Sequence, residues 1–250
     1  MQQRFPRVNA TPAYQQVAEA IERQILSGRV RPGEPLGTEA ELVKQFGVNR
    51  STVREGIRLL EQGGLVRRDS SRRLWIGPPH YERLTKRMSR ALVLHEVTFR
   101  ELYEAAVPIQ IATIEAAVER VTPDLIEQLE DNIARTERAL AQPEAVAELD
   151  AEFHGLIGKA SHNRVLQLAR EPSETLVVES TELILRKVKE GGPRLLHAHR
   201  MYVDALRRRD KDAGRLWVHR HLDDWKKGFE RVGRDLDQPI DRIYLQNRQS

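Results

Sequence analysis

Four residues in the later part of this 250-residue chain have the types and spacing to hold a metal ion. In "AVAELDAEFHGLIGKASHN", Asp150 and His154 are four apart, so on a helix they share a face with Val146, Phe153 and Ile157. Leu195, His199, Tyr202 and Leu206 follow the i, i+4, i+7, i+11 rule, which sets His199 in an apolar stripe. Trp217, His221 and Trp225 recur at intervals of four, whereas His197 and His219 fall off these stripes. One inward imidazole is ordinarily a hydrogen-bonded core residue. Four inward donors from three helices are costly to bury unless paired or coordinated. Three imidazoles and a carboxylate suit a divalent metal (zinc, nickel, manganese or iron) and leave positions open for a ligand oxygen. There is no cysteine, so disulfides and thiolate metal sites are excluded.

A second constellation lies in "EAELVKQFGVNRSTVREGIRLLEQGGLV", residues 39–66. Val53, Ile57 and Leu60 fall at i, i+4 and i+7 and must face a core, which turns Arg50, Ser51, Thr52 and Arg54 outward. Arg50 and Arg54 then share one exposed side at a helix N-terminus, where the peptide dipoles favour an anion. A guanidinium can take guanine O6 and N7 bidentately, and hydroxyls can reach phosphate or base edges. Taken singly, such residues are an ordinary solvated helix face. Charge distribution argues for more: residues 1–79 carry 13 Lys+Arg against 8 Asp+Glu, while the remainder carries 28 against 29. The basic excess sits in the first third, as a polyanion-binding segment requires.

These side chains need particular elements to position them. Ala13–Leu26 has helical periodicity that "SGRVRPGEPLG" ends. Thr38 and Glu41 form a capping-box pair for a second helix running to about Phe46. Gly47 supplies a turn and Asn49 a cap for a third helix running to about Gln62, completing a helix-turn-helix. The runs in "LVRRDSSRRLWI" read as a β-hairpin wing whose Arg67, Arg68, Arg72 and Arg73 could contact phosphates. "GPPH" is stiffened by two prolines and reads as a linker. From Tyr81 onward almost every window is helical, with breaks near 122–123, 142–143, 161–163 and 191–193, giving six or seven helices. Pro108 should kink its helix, and His162 reads as a helix-boundary residue. No apolar run reaches the length of a membrane span and no secretory signal opens the chain, so a cytoplasmic protein is expected.

The stretch "SGRVRPGEPLGTEAELVKQFGVNRSTVREGIRLLEQGGLV" resembles the DNA-binding pattern of the GntR transcription regulators. The resemblance implies that Arg50, Ser51, Thr52 and Arg54 contact DNA and that the wing tip enters the minor groove. Two departures stand out: Ala40 replaces an arginine common in that family, and "RDSSRR" replaces a Gly-rich wing tip. The later residues resemble the FCD effector-binding domain of the FadR subgroup, through "DAEFH" at 150–154, "HRMY" from His199 and "HL" from His221. This implies Asp150, His154, His199 and His221 as metal ligands and a metal-held metabolite carboxylate. Ala106 and Gln110 stand where many members carry Arg and Glu, which leaves Arg186 as a substitute anion contact.

The expected fold is mainly α. A winged helix-turn-helix spans 10–77, a linker 78–81, an all-α FCD-like bundle for effector binding and dimerisation 82–235, and a tail 236–250. The expected function is a metabolite-responsive repressor, not an enzyme, binding a double-stranded palindromic operator as a homodimer. Two other readings compete. A metal-dependent hydrolase would use an open metal position to activate water, although the chain has no HExxH, G-x-S-x-G or phosphate-binding loop motif. An architectural DNA-binding protein would use the bundle only to dimerise.

Overall fold

The structure, a computed structural model, describes residues 11–77 and 81–240. The chain divides into two compact units, with the division at Leu84/Thr85. Residues 78–80 of the expected linker and residues 241–250 of the expected tail lie outside those described.

The first unit contains α1 (Ala13–Leu26), β1 (Pro35–Gly37), α2 (Glu39–Phe46), α3 (Arg50–Gly63), β2 (Val66–Arg68) and β3 (Leu74–Ile76). Thr38 caps α2 in a reciprocal capping box with Glu41, and Gly47 ends it at φ 65°, where a side chain would strain the backbone. Asn49 caps α3 by accepting from the amide of Thr52 at 2.8 Å. Val17, Ile21, Leu42, Val53, Ile57, Leu60, Val66 and Leu74 form one buried core. Gly56 marks a close approach of α1 and α3, since a Cβ there would lie 2.8 Å from the Tyr14 carbonyl oxygen. The wing is a three-stranded sheet in the order β1-β3-β2 rather than a hairpin alone. The extra strand comes from "PLG", whose neighbours bond β3 through Ile76 N–H to Glu34 O and Gly33 N–H to Ile76 O.

The second unit is helical: α4 (Tyr81–Leu94), α5 (Phe99–Arg120), α6 (Pro123–Arg138), α7 (Pro143–Ala160), α8 (Arg164–Lys187), α9 (Gly191–Arg208) and α10 (Lys211–Arg231). Besides the expected breaks there is one before Phe99, where Thr98 and Glu101 form a second capping box. His162 sits at φ 47°, between α7 and α8, and Asn163 caps α8. One core gathers Ile114, Phe153, Ile157, Leu196, Tyr202 and Leu206 from α5, α7 and α9. A second gathers Phe99, Leu176, Ile184, Phe229, Leu236 and Ile240. Packing therefore reaches past residue 235: Ile240 is fully buried and Asp237 pairs with Arg100.

Candidate metal centre and nucleic-acid face

α7 delivers Asp150 and His154, α9 His199 and α10 His221; their donor atoms all lie within 4.8 Å of one another. Asp150 Oδ1 stands 3.1 Å from His199 Nε2, 3.7 Å from His154 Nε2 and 3.8 Å from His221 Nε2. Donors about 2.1 Å from a shared ion would stand roughly 3.0–3.5 Å apart; the His199 separation lies in that range and the other two are a few tenths of an ångström wider, so a small inward movement of His154 and His221 would close the set on one ion. Hydrogen bonding accounts for this cluster only in part: His154 Nε2 and His221 Nε2 stand 3.1 Å apart and pair with each other, whereas Asp150 Oδ1 and both ring nitrogens of His199 are buried without a hydrogen-bond partner. Phe153 fixes the His199 ring by stacking on it at 3.7 Å between centroids.

Burial and the neighbouring imidazoles push His154 well below the usual histidine range, although Asp150 opposes this. Burial likewise takes His221 down to about 4. Both rings are thus neutral near pH 7, as ligands must be. Burial alone would raise Asp150, but the His199 ring facing its Oδ1 at 3.1 Å outweighs this and holds the carboxylate below its ordinary range. Asp150, His154 and His221 are thus already in the protonation states that metal binding requires.

Asp150, His154 and His221 also line a cavity walled by α5, α7, α8 and α10. Ala106 and Gln110 line it, and Gln110 Oε1 is buried without a partner. Arg186 does not line it. That side chain is half exposed and pairs with Glu182 and Glu144, so the expected anion contact is corrected by the structure. The guanidinium that does line the cavity is Arg170, 5% exposed and paired with Glu174 one turn along α8. Burial lowers it to about 10, partly offset by Glu171 and Asp150, and it stays cationic. Its signal was present in the sequence: Leu166, Arg170, Ser173 and Val177 repeat the spacing that places His199 inward.

In the first unit, Arg50, Ser51, Arg54, Arg68 and Arg72 border one groove with Glu39, Ala40 and Arg58. Arg58 extends the Arg50–Arg54 series by another four residues and was not anticipated. Glu39 lies between the cations, 3.6 Å from Arg50 and 3.9 Å from Arg54, while Arg68 bonds both Glu39 and Glu61 at 2.8 Å. Thr52, Arg67 and Arg73 do not border the groove. Strand alternation explains Arg67, because Val66 faces the core and its neighbour turns the other way. The wing tip is held by Asp69, whose Oδ1 accepts from Ser71 N–H, Ser71 Oγ and Arg73 N–H, and whose Oδ2 accepts from Trp75 Nε1 at 2.7 Å.

Residues 13–75 match the family model of the bacterial regulatory proteins, gntR family, and residues 101–224 match the FCD domain. The chain is 26% identical over 215 residues to the uncharacterized HTH-type transcriptional regulator YdhC of Bacillus subtilis (strain 168), spanning 85% of this chain and 88% of that one. It is also 26% identical over 195 residues to the galactonate operon transcriptional repressor of Escherichia coli (strain K12), spanning 76% and 85% respectively. Its fold is similar to that of the solved Streptococcus agalactiae GntR, with a TM-score of 0.61 at 22% identity over 86% of this chain and 99% of that one.

Proposed function

The chain belongs to the GntR family of transcription regulators, in the subgroup with a C-terminal FCD domain, and from that premise we propose that it is a cytoplasmic, metabolite-responsive repressor. Its homodimer binds a palindromic operator, since one recognition helix reads too few base pairs to be selective alone. The effector is a small carboxylate admitted to the cavity beside Asp150. A family of regulators argues against the hydrolase reading.

The observation that carries the effector reading is the convergence of four buried or half-buried donors beside a cavity, with Asp150 Oδ1 and both ring nitrogens of His199 lacking a hydrogen-bond partner. Asp150, His154, His199 and His221 would hold zinc, nickel, manganese or iron, which supplies a Lewis-acidic position for a carboxylate oxygen. The protein's own part is to orient those donors through the Phe153 stack and to exclude water with the helices around them. On DNA, Arg50 and Arg54 would reach base edges from the start of α3, and Ser51, Thr52, Arg67, Arg68, Arg72 and Arg73 would reach phosphate or flanking bases. Glu39 holds Arg50 and Arg54 in place until the polyanion replaces it.

Elemental analysis of the purified protein tests the metal claim. Close to one divalent ion per chain is expected, with most of it lost in His199→Ala and His221→Ala. Wild-type protein that takes up no transition metal after reconstitution would mean structural imidazoles, and the architectural reading would replace this one.

A further inference from the structure

We propose that Glu39 is a specificity-determining residue of the DNA face: its carboxylate braces Arg50 and Arg54 for guanine edges and disfavours phosphate. The inference rests on the DNA-face reading above and adds to it a positioning residue that acts through the two arginines. Glu39 is the first residue of α2, where the helix dipole favours a carboxylate, and its side chain is only 12% exposed. Arg50 and Arg54 are far more exposed, so the acid lies at the floor of the groove and the cations project from it. Both arginines meet the same atom, Glu39 Oε2, and both meet it through Nε. The carboxylate is itself tied down: its other oxygen accepts from Arg68 Nη2 at 2.8 Å, and Arg68 Nε donates to Glu61 at 2.8 Å.

A guanidinium is planar and rigid, and the edge opposite Nε is formed by its two Nη nitrogens. Held at Nε, each arginine therefore offers an Nη fork that faces away from Glu39. The two kinds of acceptor on DNA then differ in charge. Guanine O6 and N7 are neutral, so the fork can take them while Nε keeps its carboxylate. A phosphate is an anion, and to bind it the arginine must either bring a second negative charge beside Glu39 or give Glu39 up. Glu39 thus costs a phosphate contact more than it costs a guanine contact. Phosphate contacts supply essentially all of non-specific affinity, so the carboxylate acts on the ratio of operator to non-specific binding. Because one oxygen serves both arginines, a single change at Glu39 should weaken discrimination at both.

Fluorescence anisotropy on the full chain at fixed salt tests this, with an operator duplex selected from random DNA and a scrambled duplex of the same length. Glu39→Gln keeps the side-chain shape and removes the charge. It should bind the scrambled duplex more tightly than wild type does, and its preference for the operator should fall by roughly tenfold or more, the discrimination of a well-made guanine contact. A damaged fold would instead weaken both complexes. Glu19→Gln, which removes a charge paired with Arg23 outside the groove, should keep the wild-type preference. If circular dichroism finds Glu39→Gln unfolded, Glu39→Asp keeps the charge, draws the carboxylate back by one methylene, and should still lower the preference severalfold. An unchanged preference in the folded Glu39 variant, or no gain on the scrambled duplex in folded Glu39→Gln, overturns the inference and leaves the DNA face standing. Selection that recovers no preferred sequence, or operator affinity unchanged in both Arg50→Ala and Arg54→Ala, overturns the DNA-face reading and this inference with it.

Discussion

At the scale of single residues, the two sites use charge in opposite ways. The DNA face keeps its arginines exposed, Arg50 at 76% and Arg54 at 69% of the side chain, so their pairing with Glu39 is weak and exchangeable. Arg50→Ala or Arg54→Ala should each cost about 1–3 kcal/mol of operator binding if the side chain reaches a guanine. Operator affinity unchanged in both variants at fixed salt would remove this face from the account. Asp69 makes a second test, because burial is not what lowers its pKa to about 2; hydrogen bonds from Ser71 and Trp75 do so first. A depressed folded pKa contributes stability that is fully present above about pH 4, the range of a free aspartate, and is lost as pH falls toward 2. Asp69→Asn removes that dependence and sets an amide donor against the Trp75 N–H. Faster amide exchange at Ser71 and Arg73 is expected; unchanged protection would show that the wing tip does not depend on this carboxylate. The inward positions of Asp150, His154, His199 and His221 were legible because helical periodicity reports facing directly. The error at Arg186 and the omission of Arg170 share a cause. The spacing that turns Arg170 inward is present in the sequence, but that an inward arginine meets a cavity also depends on neighbouring helices, which the sequence of α8 alone does not contain.

At the scale of elements, capping residues carried most of the reading. Thr38 with Glu41, Gly47 and Asn49 bound α2 and α3 in the structure as local chemistry dictates. β1 escaped notice because three residues that begin with a proline and end with a glycine carry no period, and their strand geometry comes from pairing with β3. Gly56 was likewise silent: inside a helix it looks like a local weakness, and only the approach of α1 shows its purpose. Gly56→Ala gains about 1 kcal/mol of helix propensity but drives a Cβ to 2.8 Å from a backbone oxygen. The clash should win and destabilise the winged unit by about 1–3 kcal/mol net. Urea unfolding followed at Trp75 checks this, and a higher midpoint in the variant would mean that the helices can move apart freely.

For the whole molecule, the division of charge and chemistry follows the division of the chain. The basic face belongs to the unit ending at Leu84 and the donor cluster to the unit that follows. Among the described residues no helix is long and apolar enough to cross a membrane. The central claim is that occupancy of the cavity changes DNA binding, and it can do so only through differential affinity of the effector for the two states of the protein. Such coupling is typically about 1–3 kcal/mol, or roughly 5–150-fold, and is the same in both directions. Titrating whichever of a panel of small carboxylates binds the metal-loaded protein, with the protein free and then saturated with an operator duplex selected from random DNA, measures it most directly. The account predicts carboxylate affinities that differ by roughly 5–150-fold between the two titrations; equal affinities would contradict it, even with the metal bound and the DNA face correctly assigned.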